Sequence, residues 1–228
     1  MWASRFFIGL RPIVGMYWRF RASGHLDELH GQRPLILVAN HSCFLDPWFL
    51  MISLRQPISY LINPRWYRKS AVWTWFFDGH DVIPMVDGSP KETVLAASEG
   101  LKRGQLVGIF PEGRITHDGL IQRFQPGVIQ LAAYSGAPII PVGVRGAFES
   151  IPRSKRFPRP GTIDVRVGAP IVFPDFPLAG PIPRQRLVEC LDRVLYEVCR
   201  LAGQEDRFAV LRSGRGASSR EPESVSTP

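Results

Sequence analysis

The stretch LILVANHSCFLDPWFL, residues 35–50, decides the fold of this chain. Its first five residues are apolar and β-prone, which predicts a buried strand over Leu35–Ala39. A helix is predicted to begin at Asp46 and Pro47, because aspartate is a favoured N-cap and proline lacks the N–H that a first helical turn would leave unsatisfied. A strand, a short loop and a helix therefore place His41 and Asp46 at the mouth of a sheet.

An imidazole and a carboxylate at this spacing have a chemical use. Neutral imidazole is the side chain best suited to remove a proton near neutral pH. A carboxylate on its other ring nitrogen fixes the tautomer and stabilises the imidazolium that forms. If His41 and Asp46 pair in this way, they activate a hydroxyl of the substrate, and no serine or cysteine nucleophile is required. On this stretch alone a second interpretation stays open, in which Asp46 only caps the helix and His41 lies in a loop.

The composition favours one large domain with an anionic partner. The chain has 228 residues, of which 45% are hydrophobic, enough for one domain with appendages. Its net charge of +8 favours a membrane surface, a phosphorylated substrate, an acidic carrier protein or nucleic acid. The 14 Phe and 6 Trp favour a membrane or a long apolar ligand, and without an RNA-binding or zinc-finger signature nucleic acid is not expected. Three cysteines without close spacing indicate a reducing compartment and no disulfide framework.

Residues 1–21 have the pattern of an amphipathic helical segment at a membrane interface. Apolar and aromatic side chains fall on one arc of a helical wheel, and Arg5, Arg11 and Arg19 fall on the opposite side. Pro12 is expected to bend or split this helix. No run is long enough to span a bilayer, so the pattern predicts monotopic attachment to an anionic surface. A helix docked on the protein's own core is the competing interpretation.

The remaining pattern predicts an α/β domain over residues 22–212 and a polar, disordered tail over residues 213–228. The domain is predicted to begin with an irregular connector over residues 22–34. Further strands are predicted at Ile58–Ile62, Val82–Val86, Leu106–Phe110, Pro138–Arg145 and Thr162–Val167, with Pro84 placing the second of these at an edge. Helices are predicted at Asp46–Leu54, Pro90–Arg103, Gln125–Ser135 and Pro183–Ala202.

Two further motifs follow predicted strands or lie within them. In FPEGR, residues 110–114, a Glu-Gly step turns the backbone sharply, and Arg114 presents a fork suited to phosphate. A turn with a surface ion pair between Glu112 and Arg114 is the alternative. In PIIPV, residues 138–142, two prolines flank apolar residues. Because proline cannot donate to a ladder, this strand is predicted to lie at a sheet edge or to line a groove.

The order and spacing of HSCFLD, FPEGR and PIIPV resemble the glycerophospholipid acyltransferase superfamily of 1-acylglycerol-3-phosphate O-acyltransferase-like proteins, over roughly residues 30–175. The resemblance implies a single-domain fold with a central, mostly parallel or mixed sheet flanked by helices. It also implies a general base and its orienting carboxylate, a site for the glycerol-phosphate part of the acceptor, and an acyl-binding side. His41 and Asp46 match the base and its carboxylate, Glu112 and Gly113 match the glycerol-phosphate site, and Pro138 and Pro141 match the acyl-binding side.

One branch of the superfamily is especially similar. The runs FPEGRITHDG and DVIPMVDGSP resemble the acyltransferase portion of bacterial 2-acylglycerophosphoethanolamine acyltransferases. As in that branch, Arg114 directly follows Gly113, whereas the common motif is FPEGTRS. The segment 81–87 also has no arginine where the superfamily's second motif carries one for phosphate. A free phosphate monoester therefore meets less positive charge there, and Arg65, Arg68 or Arg123 are candidates to replace that arginine.

Other candidate chemistries are less favoured. Cys43 lies between His41 and Asp46, but a local cysteine is poorly placed for in-line transfer. Neither the histidine and aspartates of residues 80–87 nor those at residues 117–118 have a recognised metal-ligand spacing, so no metal is expected. A basic loop over residues 153–159 either contacts anionic lipid or an acidic carrier, or is a solvated charge run.

The function that the resemblance implies is transfer of a fatty acyl group to the free hydroxyl of a lysophospholipid, in phospholipid biosynthesis or remodelling. The donor is acyl-CoA or acyl-carrier protein, and no other cofactor is expected. The expected location is the cytoplasmic face of the inner or plasma membrane. Two alternatives stay open at this point: a catalytically inert lipid-binding protein of the same fold, and a thioester or lipid hydrolase.

Overall fold

The computed structural model describes residues 2–31, 34–151, 157–173 and 182–217. Within these residues one central sheet has seven strands in the order β1-β7-β6-β2-β5-β3-β4. In chain order, β1 to β7 are Trp18–Gly24, Leu35–Ala39, Ser59–Ile62, Ile83–Pro84, Leu106–Ile109, Ile139–Arg145 and Gly161–Val167. Neighbouring strands are parallel except β6 and β7, which are antiparallel. The prediction of a mostly parallel or mixed sheet in an α/β fold is confirmed.

Helices cover both faces of this sheet. In chain order, α1 to α11 are Trp2–Gly9, Arg11–Val14, Glu28–Gly31, Asp46–Leu54, Pro64–Tyr67, Ala71–His80, Pro90–Lys102, Gly127–Ser135, Ala147–Ser150, Arg184–Ala202 and Glu205–Ala217. Ile36 and Val38 of β2 point into a core with α7, α8 and α10, whereas Leu35 and Leu37 point into a second core with α4. Because β2 is buried on both faces, its sequence is a continuous apolar run rather than an alternating one.

The N-terminal segment is helical and interrupted near Pro12, as predicted, but it ends in a strand. Helix α1 ends at Gly9, α2 contains Pro12 in its first turn, and β1 begins at Trp18. β1 pairs with β7 along its whole length, so backbone hydrogen bonds to a distant strand replace the helical pattern. Its side chains alternate between half-buried and exposed, as a strand requires. The strand crosses the predicted boundary between residues 21 and 22, so residues 22–24 of the predicted connector belong to the sheet.

The proline-containing strand is interior, and the predicted edge position is wrong. β6 lies between β2 and β7. Pro141 costs no ladder bond there, because pairing with β7 ends at Val142↔Val167 and resumes only as an isolated bridge between Ile139 and Ile171. In the gap the Gly168 N–H donates to the Pro141 carbonyl at 2.8 Å. The edge position predicted for Pro84 is confirmed, since β4 is the terminal strand of the described sheet.

The chain after α10 is also more ordered than its composition predicts. Gly203, with φ of 68°, ends α10, and α11 follows directly. Leu211 of α11 is buried in the core that contains α10. Helix α11 extends to Ala217, so residues 213–217 of the predicted tail are helical, and residues 218–228 lie outside the described residues.

Candidate active site

The carboxyl ends of β2, β5 and β3 meet at one edge of the sheet, because these three strands are adjacent and parallel. His41 follows β2, Glu112 to Arg114 follow β5, and Arg65 follows β3. Ligand sites in open α/β sheets lie outside the carboxyl ends of the strands. This edge is therefore the candidate active site.

His41 and Asp46 form a hydrogen-bonded pair. The distance between His41 Nδ1 and Asp46 Oδ2 is 2.9 Å. The Asp46 carboxylate is fully buried, and the same oxygen accepts the backbone N–H groups of Ser42 at 2.6 Å and Cys43 at 2.8 Å. Because the carboxylate oxygen accepts, the proton of this bond lies on His41 Nδ1, and Nε2 remains as an acceptor.

The arrangement is not that of a helix cap. Leu45 occupies the N-cap position of α4, and no side chain caps the first turn. The carboxylate of Asp46 turns back over the preceding loop instead of toward its own helix. The interpretation in which Asp46 only caps the helix is therefore wrong, and the imidazole–carboxylate pair that the spacing predicts is present. Its catalytic role stays a prediction.

Two aromatic rings support the imidazole. Phe110 stacks on His41 with ring centroids 4.1 Å apart and planes 18° apart, and Tyr60 stacks on Phe110 with ring centroids 5.3 Å apart. The Tyr60 hydroxyl donates to the Pro47 carbonyl at 3.2 Å. The His41 side chain is 17% exposed, so solvent or substrate can reach it. The sequence reasoning did not assign these rings to the site, although Phe110 opens the FPEGR motif.

Glu112 ties the loop after β5 to His41. Its carboxylate is buried and accepts the His41 N–H at 2.7 Å and the Gln122 N–H at 2.8 Å, one at each oxygen. Burial raises the pKa of Glu112 to about 7, against the opposing effect of these two N–H donors. Glu112 is thus a buried link between two loops, and the surface ion pair with Arg114 is not its role. Gly113 adopts φ of 68°, which glycine tolerates without strain.

Further backbone contacts fix the loop after β2. The Asn40 side chain both accepts the Val144 N–H at 2.8 Å and donates to the Val144 carbonyl at 3.0 Å. The Thr116 N–H donates to the His41 carbonyl at 3.0 Å. The sequence marks Asn40 only as a turn residue, because its partner lies on β6, 104 residues away.

Cys43 does not have the properties of a nucleophile. Its side chain is buried, and its thiol donates to Asp46 Oδ1 at 3.2 Å. Burial raises the pKa of the thiol strongly, and the neighbouring Asp46 charge adds to that shift. The thiol therefore stays protonated near neutral pH.

Other predicted site residues lie apart from this pair. Pro138 precedes β6 and accepts the Ile36 N–H, so it lies at the opposite end of the sheet from His41. Pro141 is buried within β6 beside Val38. Neither proline is brought to the candidate active site. Their role at the acyl-binding side stays a prediction, and this placement does not support it.

The arginines are divided between two places. Arg114 and Arg65 are exposed at the candidate active site edge. Arg123 instead lines a cavity of about 230 Å³ with side chains of α10 and α11, a lining that does not include His41 or Asp46. Residues 153–156 of the basic loop lie outside the described residues.

His80 is buried between helices. The Trp48 indole N–H donates to His80 Nε2 at 3.4 Å, which leaves the proton on Nδ1 to donate to Ser4 Oγ at 3.1 Å. Burial lowers the pKa of His80 to about 4, so the ring is neutral. Helix α1 is thereby docked on α4 and α6. Among the described residues no cluster of histidine, cysteine and acidic side chains has the makings of a metal site.

An exposed aromatic surface surrounds this contact. It consists of Trp2, Phe6, Phe44 and Trp75, each at least half exposed. The Trp2 and Trp75 rings are 5.0 Å apart, and Phe44 belongs to the loop between His41 and Asp46. In the described part of the chain, no helix combines the length and apolar character needed to cross a membrane.

Known proteins are similar to this chain in sequence. A chloroplastic 1-acyl-sn-glycerol-3-phosphate acyltransferase of Brassica napus is 27% identical over 198 residues, 85% of this chain and 55% of that protein. A 1-acyl-sn-glycerol-3-phosphate acyltransferase of Pseudomonas aeruginosa is 27% identical over 169 residues, 72% of this chain and 63% of that protein. The chain thus spans little more than half the length of these curated relatives.

A solved structure has the same fold. The crystal structure of the 1-acyl-sn-glycerophosphate acyltransferase from Thermotoga maritima matches with a TM-score of 0.65 and 18% identity, covering 96% of this chain and 81% of that chain. Residues 21–145, more than half of this chain, match the Acyltransferase family. The protein therefore belongs to the Acyltransferase family.

Proposed function

We propose that this protein is an O-acyltransferase that moves a fatty acyl group from a thioester donor to the free hydroxyl of a lysophospholipid. The observation that carries this proposal is the His41 Nδ1 to Asp46 Oδ2 bond of 2.9 Å, with Asp46 held by two backbone N–H groups. The family to which the chain belongs and the names of its relatives support acyl transfer to a glycerol-phosphate acceptor.

The pair supports a direct transfer. His41 Nε2 takes the proton of the acceptor hydroxyl as its oxygen attacks the thioester carbonyl. Asp46 stays ionised and stabilises the imidazolium. The tetrahedral intermediate then collapses, the C–S bond breaks, and the leaving thiolate takes the proton from His41. The products are the diacyl lipid and the free thiol, and no acyl-enzyme is formed.

The acceptor's head group is proposed to lie at the carboxyl ends of β5 and β3. Arg114 and Arg65 are exposed there, and an arginine fork suits a phosphate oxygen pair. Because Glu112 already accepts two backbone N–H groups, its contribution is to hold the loop that carries Arg114. A phosphodiester head group, such as that of a lysophosphatidylethanolamine, carries less negative charge than a phosphate monoester and needs fewer cationic partners.

The aromatic surface is proposed to rest on an anionic membrane at its cytoplasmic face. Trp2, Phe6 and Trp75 are 55–61% exposed, and aromatic side chains favour the interface between water and lipid. Phe44 of the same surface lies three residues from His41. A lysophospholipid that remains partly in the membrane therefore reaches the candidate active site over a short path.

A panel of lysophospholipids tests the proposal. The purified protein is incubated with vesicles that contain each lipid, with acyl-CoA or acyl-carrier protein as donor, and the products are measured by mass spectrometry. We expect a diacyl product for at least one acceptor and one donor. Thiol release that does not require any lysophospholipid would instead indicate a hydrolase. Vesicle binding without thioester consumption would indicate an inert lipid-binding protein.

A further inference from the structure

The turn between α10 and α11 holds the loop that follows β5. Gln204 accepts the Ile121 N–H at its Oε1, at 3.0 Å, and donates from its Nε2 to the Gly119 carbonyl at 2.9 Å. Arg207 Nε donates to the Ile121 carbonyl at 2.8 Å. The two side chains thus bind both sides of the loop backbone at Ile121, from more than 80 residues away.

The position of Gln204 is set by the end of α10. Gly203 takes a left-handed conformation, and the Gln204 N–H then donates to the Cys199 carbonyl at 2.8 Å. This is the pattern of a glycine-terminated helix, in which the residue after the glycine is fixed against the last turn. Gln204 is half-buried, so water reaches its hydrogen bonds to the loop backbone only in part.

From Ile121 a short hydrogen-bonded path leads to the base. The next residue, Gln122, donates its N–H to Glu112 Oε2 at 2.8 Å. Glu112 Oε1 in turn accepts the N–H of His41 at 2.7 Å. A displacement of the backbone at Ile121 and Gln122 therefore changes the support of the His41 backbone directly.

Apart from the Gln204 bond to the Gly119 carbonyl, the contacts that shape the loop tip come from other residues. Asp118 accepts from the Thr116 hydroxyl at 2.7 Å and from the Leu120 N–H at 3.0 Å. Gly119 has φ of 78° and packs against Phe148. Removing the Gln204 amide is thus expected to release the Ile121–Gln122 backbone and to leave the tip folded.

We infer that Gln204 is a positioning residue for His41, acting through the backbone of Ile121 and Gln122 and through the Glu112 carboxylate. Its effect on turnover rests on the proposed function. Its effect on the His41 backbone does not, and the two are measured separately.

Amide hydrogen exchange of the full chain tests the positioning role. In Gln204→Leu we expect exchange at His41 and Gln122 to rise on the order of tenfold, as loss of one or two hydrogen bonds implies. The Leu37 amide, in the centre of β2, reports global opening and is expected to keep its exchange rate. The matched control is Gln185→Leu, an exposed glutamine on α10 that bonds only within its own helix, to Glu189, among the contacts described. Unchanged exchange at His41 in Gln204→Leu, or an equal rise at Leu37, would overturn the inference.

Steady-state kinetics measure the consequence for turnover. In Gln204→Leu, kcat is expected to fall about tenfold while KM for donor and acceptor stays within about twofold, because a misplaced base slows chemistry without removing a substrate contact. An unchanged kcat would overturn the inference. If the wild-type protein transfers no acyl group, the proposed function fails and the exchange experiment still decides the positioning role. Should Gln204→Leu not fold, Gln204→Glu keeps the acceptor for Ile121 and loses the donor to Gly119, and a smaller rise at His41 is expected.

Discussion

His41, in the loop after β2, and His80, at the end of α6, are both fixed by hydrogen bonds, but to partners of different chemistry. His41 Nδ1 donates to a buried carboxylate, and the ring is partly exposed. His80 uses one nitrogen for a serine hydroxyl and the other for a tryptophan indole, and it is buried. The first region thus places a carboxylate beside its imidazole, whereas the second keeps its imidazole neutral.

The difference shows which surroundings suit an imidazole to act as a base. Burial among aromatic rings lowers the pKa of His80 to about 4, and both of its nitrogens are committed to neutral groups. Asp46 instead offers His41 a counter-charge, and the Nδ1 bond leaves Nε2 for a substrate proton. His80 holds α1 against α4 and α6, while His41 is available for chemistry.

The largest effect is expected for His41→Ala. Loss of the base lowers acyl transfer about 10³-fold or more, because Nε2 of His41 is the group proposed to take the hydroxyl proton. Transfer of a radiolabelled acyl group to lysophospholipid in vesicles measures it, with circular dichroism to confirm folding. His25→Ala, an exposed histidine, is the control and is expected to keep full activity. Activity within tenfold of wild type in His41→Ala would remove the proposed base.

Asp46→Asn is expected to lower transfer roughly 10²- to 10³-fold, because a neutral amide does not stabilise the imidazolium. The amide oxygen can take the place of Oδ2 and keep the bonds from the Ser42 and Cys43 N–H groups, so the free energy of unfolding is expected to change by less than about 1 kcal/mol. Rate assays and urea unfolding measure the two effects. The matched control is Asp78→Asn, an exposed aspartate that accepts from the Tyr67 hydroxyl. Equal losses in both variants would show that the pairing with His41 is not special.

His80→Gln tests the second region through pH. Because the folded-state pKa of His80 is lowered to about 4 from 6.5, its neutral form stabilises the fold fully above pH 6.5 and this stability is lost as pH falls toward 4. The loss is on the order of 3 kcal/mol. Glutamine can bond to Ser4 and Trp48 without titrating, so its unfolding free energy is expected to depend less on pH over this range. If the unfolding free energies of wild type and variant depended on pH in the same way, the prediction would be contradicted. His25→Gln, at an exposed histidine, is the control.

Glu112→Gln is expected to have the smallest effect, about a tenfold loss of kcat. Since burial raises the pKa of Glu112 to about 7, the site already holds a neutral acid in part of the molecules near neutral pH. The amide keeps one acceptor, for the His41 or the Gln122 N–H, and loses the other. Glu99→Gln, an exposed glutamate bonded to Lys102, is the control. A loss as large as that of His41→Ala would mean that Glu112 takes part in the chemistry itself.

Much of the local structure follows from the sequence. The bounds predicted for the first core helix, Asp46–Leu54, are those of α4, and the apolar run Leu35–Ala39 is β2. Hydrophobic periodicity and turn residues involve positions close together in the chain, so the elements that they specify can be predicted from one sequence. The pairing of His41 with Asp46 belongs to the same class, because five residues separate them.

Other features depended on the whole fold. β1 replaced only the end of the predicted N-terminal helical segment, residues 18–21, because β7, more than a hundred residues later, supplies its hydrogen bonds. Pro141 lies inside the sheet because β7 leaves a gap opposite it.

The sequence by itself determined the strand, loop and helix around residues 35–54 and the presence of an imidazole beside a carboxylate. Only the tertiary structure decided that Asp46 faces the preceding loop and not its own helix, and that Glu112 accepts the His41 N–H. It also decided that Gln204 binds the loop after β5. The physical reason is the range of the interactions. Helix signals act between neighbours in the chain, whereas buried polar groups must find partners wherever folding brings donors and acceptors together.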